Sequence, residues 1–90
     1  MNKERRKALE ELANRVEELK CELDSIKDDL EGIKDEEDEY RDNIPENLQG
    51  SEKYEVSEEA SDNMDSAYDE LDSAIDSLDS AIDSINEAIG

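Results

Sequence analysis

The fold turns on residues 67–90, which read Ala67-Tyr-Asp-Glu-Leu-Asp-Ser73, Ala74-Ile-Asp-Ser-Leu-Asp-Ser80, Ala81-Ile-Asp-Ser-Ile-Asn-Glu87 and Ala88-Ile-Gly90. A unit of seven residues recurs with its apolar positions fixed, the signature of a helix with one apolar face. Met64, Leu71, Leu78 and Ile85 form one row along that face, and Ala67, Ala74, Ala81 and Ala88 a second. Tyr68, Ile75, Ile82 and Ile89 add a third, so three of every seven residues are apolar. Such a face is wider than contact with one other helix requires. Ser and Asp are moderate helix formers, so packing must hold this helix.

Working outward, the first half of the chain supplies a partner. Leu9, Leu12, Val16, Leu19, Leu23, Ile26, Leu30 and Ile33 alternate spacings of three and four over four heptads. That is a coiled-coil seam, edged by Lys20, Lys27 and Lys34 on one side and Glu22, Asp29 and Glu36 on the other. Between the halves, Pro45 disfavours helix at Ile44, Gly50 suits a turn, and Ser51 can cap a new helix. Ile44 and Leu48 are expected to tuck the loop over the hairpin end. The spacing predicts one domain over residues 1–90, with a helix at about 3–41, a loop at about 42–50 and a second helix at about 52–89. A short loop makes the helices antiparallel neighbours.

The expected class is therefore all-α, an antiparallel two-helix hairpin with coiled-coil packing. Matching the seams pairs residues whose numbers add to 97, so that Leu12 faces Ile85, Leu19 faces Leu78, Ile26 faces Leu71 and Ile33 faces Met64. In that register Tyr68, Ile75, Ile82 and Ile89 lie outside the hairpin. An exposed apolar stripe marks an interface, and the reading assigns it to a homodimer forming a four-helix bundle, or to a partner protein.

Thirty acidic residues stand against ten basic ones, a net charge of −20, with 33% hydrophobic residues and no Phe or Trp. Disorder would fit that composition alone, but not the periodicity. So negative a chain avoids direct contact with nucleic acid and with anionic membranes, and its natural partners are basic. No apolar run long enough to span a membrane occurs, and the charged start Asn2-Lys3-Glu4-Arg5-Arg6-Lys7 leads into no apolar core of a secretion signal. The single cysteine, Cys21, provides no disulfide framework. A cytoplasmic setting is the expectation.

The chemistry of catalysis is missing from the sequence. There is no His, so imidazole triads and the usual zinc motifs are absent. Cys21 lies on the outer face among Glu18, Glu22 and Asp24, where negative neighbours dull its reactivity. Only three glycines occur, too few and too scattered for a phosphate loop. The Asp-Ser repeats follow helical spacing and lack the glycine of a calcium loop. No enzymatic activity, cofactor or structural metal is expected.

One charged feature stands out. Asp65, Asp69, Asp72, Asp76, Asp79 and Asp83 alternate spacings of four and three, placing a carboxylate about every 5.2 Å along the second helix. Residues 54–90 contain twelve acids and no base. Uncompensated charge costs stability through self-repulsion, and a helix made only for solubility would mix in Lys. The row therefore reads as a surface imitating a nucleic-acid backbone, to be presented to a basic nucleic-acid-binding protein. The competing reading is an assembly adaptor or chaperone acting through the Tyr68–Ile89 stripe, with the aspartates serving solubility.

The turn itself is also distinctive: Asp35-Glu-Glu-Asp-Glu-Tyr40-Arg-Asp42-Asn43-Ile-Pro45-Glu46-Asn-Leu48-Gln49-Gly50-Ser51-Glu52-Lys-Tyr54. It resembles the turn of a family of small acidic helical proteins of unknown function encoded by tailed phages and prophages. The basic start and the Ala-Ile-Asp-Ser repeats follow that likeness more loosely. The resemblance implies a phage origin and the host cytoplasm, where an acidic protein could inhibit a host or defence enzyme. It brings no functional residue with it.

Overall fold

The computed structural model describes all residues, 1–90, as two long helices folded against each other, with no strand. Helix α1 spans Lys3–Asp42 and helix α2 spans Glu52–Ile89, joined through a single 3-10 turn at Glu46–Leu48. The rod measures 70 × 14 × 13 Å between Cα extremes. Both helices begin on a side-chain cap, which satisfies a backbone N–H that no earlier turn can reach. Asn2 accepts from the Arg5 amide at 2.8 Å, and Ser51 accepts from the Tyr54 amide at 3.4 Å. Helix α1 stops at Asn43, whose N–H returns to Glu39 O, while Pro45 O accepts from Leu48 N at 2.8 Å to tighten the turn. Ile44 is half-buried under the hairpin end, but Leu48 is 49% exposed and covers nothing.

The seam differs from the one the leucine spacing suggests. On α1 it is formed by Leu9, Val16, Leu23 and Leu30 together with Ala13 and the row Lys20, Lys27, Lys34 and Arg41, all buried or half-buried. Leu12, Leu19, Ile26 and Ile33, expected inside, are between 42% and 56% exposed, as is Tyr40, which continues their row one heptad on. On α2 the reverse happens. Ile75 is the only buried large hydrophobic residue, at 7% exposure, and Tyr68, Ile82 and Ile89 beside it are half-buried. The row expected outside is turned inward, and the alanine row has moved to the flank, where Ala81 and Ala88 are exposed.

Side-chain size explains the rotation. Burying Ile in place of Ala removes about three more methylene-sized groups from water, roughly 2 kcal/mol per layer. On α1 the lysine stems lie along that apolar row while their ammonium groups reach past it, which partly offsets the exposed leucines. The ion pairs fix the axial alignment: Lys20–Asp79 at 2.7 Å, Lys27–Asp72 at 3.0 Å and Lys34–Asp65 at 3.4 Å. Each joins residue numbers adding to 99, so the slide along the axis differs little from the expected 97. The larger change is a turn of each helix about its own axis. Lys27 also sits 5.1 Å from the centre of the Tyr68 ring, a cation–π contact.

Candidate functional site

The ion pairs divide the long surface of the hairpin into two edges of opposite character. One edge carries the Lys–Asp pairs and, beyond them, the open aspartates of α2. Asp65, Asp72 and Asp79 bridge to α1, yet their side chains remain 62%, 57% and 49% exposed. Asp69, Asp76 and Asp83, the other half of the expected stripe, are exposed and make no ion pair. Asp62, one heptad before Asp69, continues that unpaired row. The six aspartates thus share one side of the rod as two parallel rows. Within the unpaired row successive carboxylates lie about 10.5 Å apart.

The aspartates act on the lysines as well. Hydrogen bonding to Asp79 raises the pKa of Lys20 above its ordinary value, and Asp72 does the same for Lys27. Lys34 is raised first by Asp38 and further by Asp65. Desolvation along the seam works against these shifts and does not overcome them.

The other edge is apolar. Leu12, Leu19, Ile26, Ile33 and Tyr40 run along it on α1, and the alanine row Ala60–Ala88 runs beside them on α2. Tyr40 lines one open groove of about 400 Å³ with Lys53, which continues the alanine row one heptad before Ala60, and with Glu37, Glu52, Val56 and Ser57, so both rows emerge on the same side there. A second groove, of about 230 Å³, opens between Leu30, Glu31, Lys34, Asp35, Met64, Asp65 and Tyr68. Neither groove is enclosed, and neither brings a nucleophile against a base. No three metal-binding side chains converge, and no helix is long and apolar enough to cross a membrane.

A polar cluster closes the seam near the loop. Ser61 Oγ donates to Asp38 Oδ1 at 2.7 Å, Lys34 Nζ donates to Asp38 Oδ2 at 2.9 Å, and Arg41 Nη2 donates to Asp38 Oδ1 at 2.8 Å. Arg41 Nη1 donates to Ser61 Oγ at 2.8 Å and to the Ser57 carbonyl at 3.2 Å. The Ser61 bond, followed by Lys34, holds the Asp38 carboxyl down to about 2. Ser57 is 2% exposed, and its hydroxyl has no protein partner. Its small side chain permits the Arg41 guanidinium to approach the α2 backbone. Heptad spacing does not single out this cluster, because the apolar α2 rows begin at Met64 and Tyr68. One heptad earlier those rows reach Ser57 and Ser61, and Arg41 continues the row of Lys20, Lys27 and Lys34.

The cluster has a structural role. Ionised and polar groups with satisfied hydrogen bonds at one end of an apolar seam oppose a slide by a heptad, which would leave Arg41 and Asp38 against Met64 and Tyr68 in place of Ser57 and Ser61. No protein-family model, curated protein or solved structure matches the chain, so the arrangement of its own side chains carries the reading of its function.

Proposed function

We propose that the protein is a non-enzymatic binding protein that presents the aspartate face of α2 to a basic, nucleic-acid-binding protein and blocks the surface where nucleic acid would lie. The observation that carries this reading is the segregation of charge: Asp62, Asp69, Asp76 and Asp83 form an open, unpaired row on a rigid helix, reinforced by the half-exposed Asp65, Asp72 and Asp79. In a helix α2 about 57 Å long, the row from Asp62 to Asp83 offers fixed negative charge over about 32 Å, close to one turn of a duplex. Rigidity matters because a preformed row loses little conformational freedom on binding. The resemblance of the turn to small phage proteins supports a phage-encoded inhibitor of a host or defence protein, acting in the host cytoplasm.

The test is capture of basic nucleic-acid-binding proteins from bacterial lysate, with duplex DNA as competitor and NaCl as the variable. Capture should fall steeply between 50 and 300 mM NaCl and be displaced by DNA. It should weaken at least tenfold when Asp69, Asp76 and Asp83 are changed together to Asn. Capture indifferent to salt, DNA and these substitutions overturns the reading.

A second reading is favoured by one observation, the exposed apolar edge. An assembly adaptor or chaperone would use Leu19, Ile26 and Ile33 rather than the Tyr68–Ile89 row, which the hairpin already employs internally. Loss of binding on polar substitution at those three positions, with no effect of the Asn changes, would select it.

A further inference from the structure

The apolar edge fits one occupant better than any other, a second copy of the chain. The lone hairpin is incomplete: only four of its ninety residues are buried, and two of those are serines. Meanwhile the row from Leu12 to Tyr40 stays about half exposed along its whole length. Two features of this face identify what covers it.

The first is size. From Leu12 to Tyr40 the face runs about 42 Å, and two helices side by side make it roughly 20 Å wide. The resulting area of about 800 Å² matches what each partner contributes to a stable protein–protein interface.

The second is charge. The seven aspartates of α2 from Asp62 to Asp83 lie on the far side from the alanine row. The positions flanking the alanines on the near side are Asn63, Ser66, Ser73, Ser77, Ser80 and Ser84, with charge only at Glu59, Glu70 and Glu87. A chain with a net charge of −20 has therefore thinned the charge on the α2 half of this face, three acids against the seven aspartates of the far side, and the middle of the face between Ala67 and Ala81 carries only Glu70. A basic partner would gain nothing from that clearing, whereas an equally acidic one requires it. A second copy also supplies matching relief: the bulky α1 row of each protomer can seat against the small alanine row of the other, so one twofold axis satisfies both.

We infer that the protein is a twofold-symmetric homodimer, a four-helix bundle joined through the Leu12–Tyr40 row of α1 and the Ala60–Ala88 row of α2. The aspartate faces then point outward on both sides. This inference stands independently of the proposed partner, because it concerns the opposite edge of the rod.

Sedimentation equilibrium across micromolar concentrations tests it, read as mass against the 10.2 kDa of one chain. The expected result is twice that mass. Dimerisation should strengthen severalfold as NaCl rises from 50 to 500 mM, since salt screens the mutual repulsion of two acidic chains. Basic-partner binding has the opposite salt dependence, so the two ideas fail separately. Changing Leu19, Ile26 and Ile33 together to Ser should give a helical 10.2 kDa monomer. Ala81→Arg, on an exposed position of α2, should weaken the dimer at least tenfold and serves if the triple variant unfolds. Mass of one chain at every concentration and salt, a larger assembly, or a dimer unmoved by Ala81→Arg overturns the inference.

Discussion

Replacing Ile75 by Ala separates the observed seam from the one that leucine spacing suggests. Ile75 is 7% exposed, so nearly all of its side chain is in contact with protein. Truncation removes about three methylene-sized groups, a transfer loss of roughly 2.4 kcal/mol. Incomplete collapse of the site adds a cavity cost, bringing the total to about 3 kcal/mol, inside the range of about 2–5 kcal/mol for such changes. Ile33→Ala removes the same atoms from a residue that is 56% exposed. Less than half of its side chain is in contact, so within one hairpin the cost is about 1 kcal/mol. The assay is urea unfolding followed by circular dichroism at 222 nm, with both variants beside the parent at one low protein concentration. The expected ratio of destabilisations is about three to one. As protein concentration rises, the Ile33→Ala cost should grow, because its exposed half then packs against the second protomer. Equal costs at low concentration, or a larger cost for Ile33→Ala, would show that the leucine row forms the hairpin seam after all.

Four further outcomes are expected. Gly32→Ala should raise stability by about 1 kcal/mol in urea unfolding, because a Cβ there meets nothing within 4 Å and alanine is the better helix former. Ser57→Ala should be neutral or stabilising by up to about 1 kcal/mol, since it deletes a buried hydroxyl without a protein partner, whereas Ser61→Ala should destabilise by about 1–2 kcal/mol by stripping Asp38 and Arg41 of a shared bond; equal effects would contradict the network. The pH dependence should have a limb at each end of the scale. Asp38 is held at about 2, below its unfolded value, so its stabilisation is full above the unfolded value and is lost as pH falls through about 2. In alkali the sign is opposite: Lys20, Lys27 and Lys34 have raised pKa values, so their stabilisation is present below the ordinary lysine value and disappears as pH climbs through the raised one. A melting temperature flat across strong alkali would count against the cross-helix pairs.

The two helices and the joint between them were legible because each depends on local signals. Heptad spacing sets helix type, Ser51 caps α2, and Pro45 and Gly50 break the chain between them. Which apolar row faces the other helix was not legible, because α2 carries three rows and a hairpin buries two. Spacing alone ranks Ala67, Ala74 and Ala81 equal to Tyr68, Ile75 and Ile82, although the latter remove far more surface from water when buried. The lysines compounded the difficulty. Lys20, Lys27 and Lys34 read as solvent-exposed edges, but long stems let them line a seam and still place their charges on Asp79, Asp72 and Asp65. The aspartate stripe was read as one continuous line, and its division into paired and unpaired rows depends on which aspartates those lysines can reach. Rotation of the helices also moved the surplus apolar face from α2 to α1, so an interface expected on Ile75 is instead offered by Ile26 and its neighbours.

The most direct test of this arrangement is the environment of the Tyr68 ring in solution, read by nuclear Overhauser effects in a selectively labelled sample. Contacts from the ring to the side-chain methylenes of Lys27 are expected, with Lys27 shifted upfield by the ring current, as the 5.1 Å approach requires. Contacts from the Ile75 methyls to α1 should accompany them. A Tyr68 ring open to solvent, with no contact to α1 and with Leu12, Leu19, Ile26 and Ile33 packed against α2, would contradict the seam and both faces derived from it.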